Sequence, residues 1–187
     1  MSIEKKPLVN DLYTADPSAH VFNGKIYIYP SHDEDIDVEN NDNGDQYDMK
    51  DYHVYEMPDT ETYPRDCGCV LKLEDIPWAS KQLWAPDCVE KDGKYYFVFP
   101  ARDKEGFFRI GIATSDKPEG PFKAEPNYIP GSYSIDPCMF QTQTENIILH
   151  LVEFGADNET NTETTNGVQT TKNQKAMKKL VQQKLHL

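Results

Sequence analysis

Apolar and aromatic residues alternate with polar ones in short runs along the first part of the chain. The runs are His20-Val21-Phe22, Lys25-Ile26-Tyr27-Ile28-Tyr29, Tyr52-His53-Val54-Tyr55, Tyr95-Tyr96-Phe97-Val98-Phe99 and Phe107-Phe108-Arg109-Ile110-Gly111-Ile112-Ala113. Each is rich in β-branched or aromatic residues and bounded by Gly, Pro, Asn or Asp, the pattern of a strand with two chemically distinct faces. Asn23-Gly24 and Asp92-Gly93 stand between such runs and predict two-residue hairpins. No amphipathic helix is predicted before residue 140, and Ile76-Pro77-Trp78-Ala79 predicts a single turn.

The runs belong to a repeat. Ala15-Asp16-Pro17 leads to a strand, the turn Asn23-Gly24-Lys25 and a second strand closing at Pro30. Ala85-Pro86-Asp87 leads to a strand, Asp92-Gly93-Lys94 and a strand closing at Pro100, and Ile135-Asp136-Pro137 begins a third copy. An acidic residue, an apolar strand, a glycine turn and an aromatic strand, repeated in this way, predict the blades of a β-propeller. The start of each blade's inner strand would face the central channel, so the repeated aspartates would converge on one funnel. Residues 1–140 are thus expected to be all-β, comprising about two blades and the start of a third. Residues 141–187 differ: they are rich in Thr, Asn, Gln and Lys, and the last 33 residues contain no aromatic. They are expected to form a poorly ordered tail. Met177, Leu180, Val181 and Leu185 mark either a basic amphipathic helix or an accidental pattern there.

Charge narrows the function. The 187 residues carry a formal net charge of −13, which disfavours nucleic acids and anionic membranes as partners and suits a neutral ligand such as a sugar. No apolar run approaches the ~20 residues needed to span a bilayer. No apolar segment follows the two N-terminal lysines as in a signal peptide, so a cytoplasmic location is expected. Cys67, Cys69, Cys88 and Cys138 lack zinc-site spacing and are expected to be free thiols, with no metal bound.

The motifs resemble glycoside hydrolase family 43, which contains β-xylosidases, α-L-arabinofuranosidases and endo-arabinanases on a five-bladed β-propeller. The resemblance is carried by Tyr13-Thr14-Ala15-Asp16-Pro17-Ser18-Ala19-His20, Tyr29-Pro30-Ser31-His32-Asp33, Asp51-Tyr52-His53-Val54, Leu83-Trp84-Ala85-Pro86-Asp87, residues 115–122 and Ser132-Tyr133-Ser134-Ile135-Asp136-Pro137. It implies hydrolysis of glycosidic bonds in xylan- or arabinan-derived oligosaccharides by an inverting mechanism, in which a carboxylate deprotonates the attacking water and a second carboxyl group protonates the leaving oxygen. Asp16 matches the family's general base. Asp136 matches the carboxylate that orients the acid and raises its pKa. Read without the family, either residue could equally be a turn or strand-start aspartate bonded to backbone. Trp84 is a candidate sugar platform or a wedge between blades. His32 and Asp33 either reach the channel or line a surface loop, and Asp51 and His53 are candidate substrate contacts. The complete family fold can bind calcium, but no cofactor is expected from these residues. The best calcium-loop alignment, Glu39-x-Asn41-x-Asn43-Gly44, puts Lys50 where a bidentate glutamate is needed, and a solvated acidic loop is expected instead.

The family's general acid is a glutamate C-terminal to Asp136, and the chain leaves the family pattern near residue 141. Glu119 lies in a Pro-Glu-Gly-Pro turn, and Glu145, Glu153, Glu159 and Glu163 lie outside any family motif. Possible codons for residues 143–158, read one frame over, permit an Asp-Gly-Lys-Tyr-Tyr hairpin where the repeat calls for one. This predicts a frameshift near Gln141–Thr142. The resulting polypeptide is expected to have little or no activity and an open, aggregation-prone propeller, or one completed by a second polypeptide. The alternative is a non-catalytic carbohydrate-binding propeller or pseudoenzyme.

Overall fold

The computed structural model describes residues 6–141 and 147–152. Strands β1 (Tyr13–Phe22), β2 (Lys25–Asp33), β3 (Asp51–Met57) and β4 (Arg65–Lys72) form a four-stranded antiparallel meander. A single 3₁₀ turn, Leu73–Asp75, and the bend at Pro77-Trp78 lead to the next sheet. There β6 (Asp87–Lys91), β7 (Lys94–Asp103), β8 (Phe108–Ser115) and β9 (Lys123–Ala124) repeat the meander, and β5 (Ala79–Lys81) adds to the far end of β7. Strands β10 (Ile135–Gln141) and β11 (Ile147–Val152) pair as a third sheet. This is the all-β architecture expected of the N-terminal part of a propeller. Among the described residues no helix is long and apolar enough to cross a membrane.

The hairpins follow from the turn residues. Asn23 and Gly24 have φ of +52° and +77°, and Asp92 and Gly93 have +54° and +76°. Two successive left-handed residues are what a tight turn between twisted strands requires. Strand β4, carried by Arg65–Lys72, was not among the predicted runs. Its apolar residues, Val70 and Leu71, are adjacent rather than alternating, and register shifts interrupt its pairing with β3.

Strand β7 shows why the blades stack. Its odd-numbered residues Tyr95, Phe97, Phe99 and Ala101 join a core with Tyr29, Tyr52, Val54 and Leu83 between the first two blades. Tyr96 and Val98 point the other way, into a second core with Ile110, Ile112, Met139 and Ile147 toward the third. The rings of Phe97 and Tyr52 meet edge-on at 5.0 Å. Two of the buried hydroxyls are satisfied by backbone carbonyls across the blade boundary: Tyr29 donates to Pro118 O at 2.8 Å and Tyr52 to Trp84 O at 2.6 Å. Buried Arg109 bonds Asp103 at 2.7 Å and lies 3.9 Å from the Tyr133 ring centroid, which fixes the path from the second blade to the third. On the other side of β1, Val21 is exposed.

The third sheet extends beyond residue 140. Ile147–Val152 lies inside the stretch read as tail, yet its apolar run pairs with β10. The remaining tail, including the helix candidate at Met177, Leu180, Val181 and Leu185, lies outside the described residues. All four cysteines are thiols.

Gly111 tests the stacking. A Cβ there would stand 2.4 Å from Phe99 Cζ and 2.7 Å from the Trp78 indole, and these rings are stacked on each other at 6.0 Å. Gly111→Ala is therefore expected to destabilise the fold by about 1–3 kcal/mol, read as a lower urea midpoint by tryptophan fluorescence. An unchanged midpoint would mean that this interface is loosely packed.

Candidate active site

Inner strands β1, β6 and β10 start beside one another around a cavity of about 350 Å³, lined by residues 16–20, 85–87 and 136–138. These are the three copies of the sequence repeat. In the outer two, the ladder skips between Ala15 and Ser18 and between Ile135 and Cys138. Asp16 and Asp136 occupy these bulges with φ of +45° and +47°. Aspartate is one of the few side chains that tolerate this region, and a bulge accommodates the missing N–H of the proline that follows. The bulge swings each carboxylate out of the pleat toward the cavity, and Ser31 Oγ anchors the first one by donating to Ala15 O at 3.0 Å.

The carboxylates act on one another. The Asp136 carboxyl is pushed above the ordinary value of 3.8, first by crowding protein that screens it from water and then by the negative charge of Asp16. Asp33 is raised by the same two causes, burial first and then Asp16, with His32 opposing. Asp16 is thus the common neighbour of two groups that hold their protons more tightly than usual. Asp33 lies on β2, outside the cavity wall but within reach of Asp16's charge.

The other candidates have different surroundings. Trp84 is outside the cavity lining. Its indole nitrogen donates to Tyr47 O at 2.9 Å, its ring packs against Phe108 at 4.4 Å, and it fills the space where a side chain on Gly44 would lie. Of the two readings open for Trp84, these contacts favour the wedge. His32 and Asp51 are brought together at 2.6 Å, and His53 is bonded to Asp66 at 2.9 Å beside the His32 ring. None of these residues lines the cavity.

Among the described residues, His32, Asp51 and His53 form the one group able to hold a metal ion, with ligand atoms within 4.8 Å of one another. Two imidazoles and one carboxylate suit a transition ion better than calcium, which takes six to eight oxygens. The acidic loop does not make a calcium cage either. Asn41 Oδ1 accepts from the Asn43 and Asp45 amides, Asp45 pairs with Lys81 at 2.6 Å, and Lys50 pairs with Glu34 at 2.7 Å. The loop is tied to the second blade through Gln82, which donates to Gly44 O, and Arg102, which donates to Asn43 O. Residues 37–43 are exposed, in keeping with the solvated acidic loop expected from the sequence.

A model of glycosyl hydrolases family 43 matches residues 5–187. The chain belongs to this family. It is 68% identical over 136 residues to a xylosidase/arabinosidase 43A of Humicola insolens, covering 72% of this chain and 42% of that protein. It is 54% identical over 151 residues to a xylosidase/arabinosidase of Bacteroides ovatus, covering 80% of this chain and 46% of that one. The chain therefore spans less than half the length of these family 43 relatives. Among solved structures, it resembles a β-xylosidase/α-arabinofuranosidase from a compost microbial metagenome, crystallised with xylotriose in a calcium-free form. The TM-score is 0.75 at 57% identity, over 77% of this chain and 44% of that one. A family 43 enzyme of Xanthomonas citri, complexed with xylotriose, gives a TM-score of 0.70 at 49% identity, over 77% and 41% of the two chains.

The raised Asp136 value gives a prediction with a definite sign. A carboxyl whose pKa is higher folded than unfolded favours folding while protonated, and that advantage is lost as pH rises from about 3.8 through the folded value. Asp136→Asn is expected to raise the denaturant midpoint at pH 7, with the gain vanishing below about pH 3.8. A gain independent of pH would show that Asp136 carries no such burden.

Proposed function

We propose that this family 43 chain supplies the water-activating side of a glycosidase site for xylan- or arabinan-derived oligosaccharides. Asp16 is the general base, and Asp136 is the carboxyl group that orients and tunes the acid. The observation that carries this reading is the pair of matching bulges, which aim Asp16 and Asp136 at one cavity. In an inverting reaction the base must take a proton from water at the anomeric carbon while a protonated group stands across the sugar, with room for water between them. The xylotriose held by two of the solved relatives supports a neutral pentose oligosaccharide as ligand.

Residues 1–187 alone bind without turning over. The family acid follows Asp136. Glu119, in the Pro-Glu-Gly-Pro turn, acts on Tyr27 and Cys67 beside the first blade and does not line the cavity. Loss of a general acid alone costs about 10²–10⁴ in rate. The alternative frame after residue 141 would replace β11, which already pairs with β10, with the Asp-Gly-Lys-Tyr-Tyr hairpin of the repeat.

Aryl β-xyloside and aryl α-arabinofuranoside assays test this. The 187-residue polypeptide is expected to show no turnover above background, and the frame-restored chain to be active. Asp16→Ala in the restored chain should lower kcat by about 10²–10⁴. Equal activity of that variant would remove Asp16 from the mechanism.

A further inference from the structure

The middle copy of the repeat differs from its neighbours in one respect visible in the sequence. In the first and third copies aspartate precedes proline, as Asp16-Pro17 and Asp136-Pro137. In the second the order is reversed, Pro86-Asp87. The structure follows the order. Asp87 pairs with Val98 at the head of an unbroken ladder, with no bulge, and its backbone is not left-handed. Its carboxylate is therefore not swung into the cavity but lies in the wall between the two that are, 3% exposed.

A buried carboxylate must be satisfied, and this one is satisfied by its neighbours on both sides. Oδ1 lies 2.6 Å from His20 Nε2 of the first blade and accepts from its own blade's Cys88 amide at 2.9 Å. Oδ2 accepts from the Met139 amide of the third blade at 2.5 Å. An ionised carboxylate only accepts, so the His20 ring nitrogen donates. The Cys138 thiol also feels it: burial pushes that thiol up first, and Asp87's charge adds to the effect. His20 is four residues beyond Asp16 on β1, and Met139 is three beyond Asp136 on β10. One side chain thus holds both bulged strands just downstream of the residues they present.

We propose that Asp87 is the positioning residue of the site: it bonds the strand bearing Asp16 to the strand bearing Asp136 and so sets how the two carboxylates face each other. This rests on the reading of Asp16 and Asp136 as a functional pair. Charge-assisted hydrogen bonds are shorter and stronger than neutral ones, and here they cross two blade boundaries at the cavity wall, where a small displacement changes the distance between the functional groups.

The test is a carboxyl-carbon NMR titration of Asp136 in the full 187-residue chain, with aspartate labelled. Asp16→Asn should lower the Asp136 midpoint by removing the neighbouring charge; this examines the pair itself. Asp87→Glu keeps the charge but displaces the carboxylate by one methylene. His20→Phe keeps a ring stacked near Phe22 but removes the donor. Each should lower the Asp136 midpoint by a large part of the Asp16→Asn effect. His20→Gln, whose amide nitrogen can replace ring Nε2, should keep the midpoint raised. A purely structural contact would lower stability and leave the midpoint where it was. If Asp16→Asn moves the midpoint and neither Asp87→Glu nor His20→Phe does, the positioning role is overturned and the pair stands. If Asp16→Asn does not move it either, the pair falls as well. Should Asp87→Glu fail to give a dispersed amide spectrum, His20→Phe and its rescue by His20→Gln decide the matter.

Discussion

Phe97 meets Tyr29 and Tyr52 on one side of β7, while Val98, the next residue, packs toward Met139 and Ile147 on the other. That two-sided burial is the constraint on which the rest of the structure depends. A strand buried on both faces has to lie between two further sheets, and stacked sheets related by a constant twist fan around an axis. Once they fan, the inner strands β1, β6 and β10 converge, and residues more than a hundred positions apart in the chain share a wall. The site follows from the packing; no local feature of Asp16 would bring Asp136 to it.

The legible part of this was the part written in periodicity. Two-residue turns at Asn23-Gly24 and Asp92-Gly93, the aromatic strands they join and the three repeat starts all stand in the sequence because backbone sterics and alternation act over a few residues. Strand β4 escaped because its apolar residues do not alternate. Ile147–Val152 escaped because its polar, aromatic-poor surroundings outweighed a six-residue segment that is apolar except for His150. Trp84 and the His32–Asp51 pair show a different limit. Their residue types suit sugar contact, but whether an indole lines a cavity or fills the space over Gly44 depends on a loop forty residues away.

The aspartates show how one repeated motif divides into two kinds of work. Where proline follows aspartate, a bulge aims the carboxylate at the cavity, and in the third copy burial and the charge of Asp16 disfavour ionisation of Asp136. Where proline precedes it, the carboxylate is satisfied by three donors and bonds the blades together. Strain and unpaired charge are concentrated in the positions suited to chemistry, and the neighbouring copy stabilises the arrangement that carries them.

The central claim is that the three strand starts form one sugar-binding surface. Amide chemical-shift mapping during a xylotriose titration of the 187-residue chain tests it directly. The account predicts that the perturbed residues cluster at 16–20, 85–87 and 136–138, from all three blades together. Perturbations confined to Trp84 and the loop around Tyr47, or to a single blade, would contradict it.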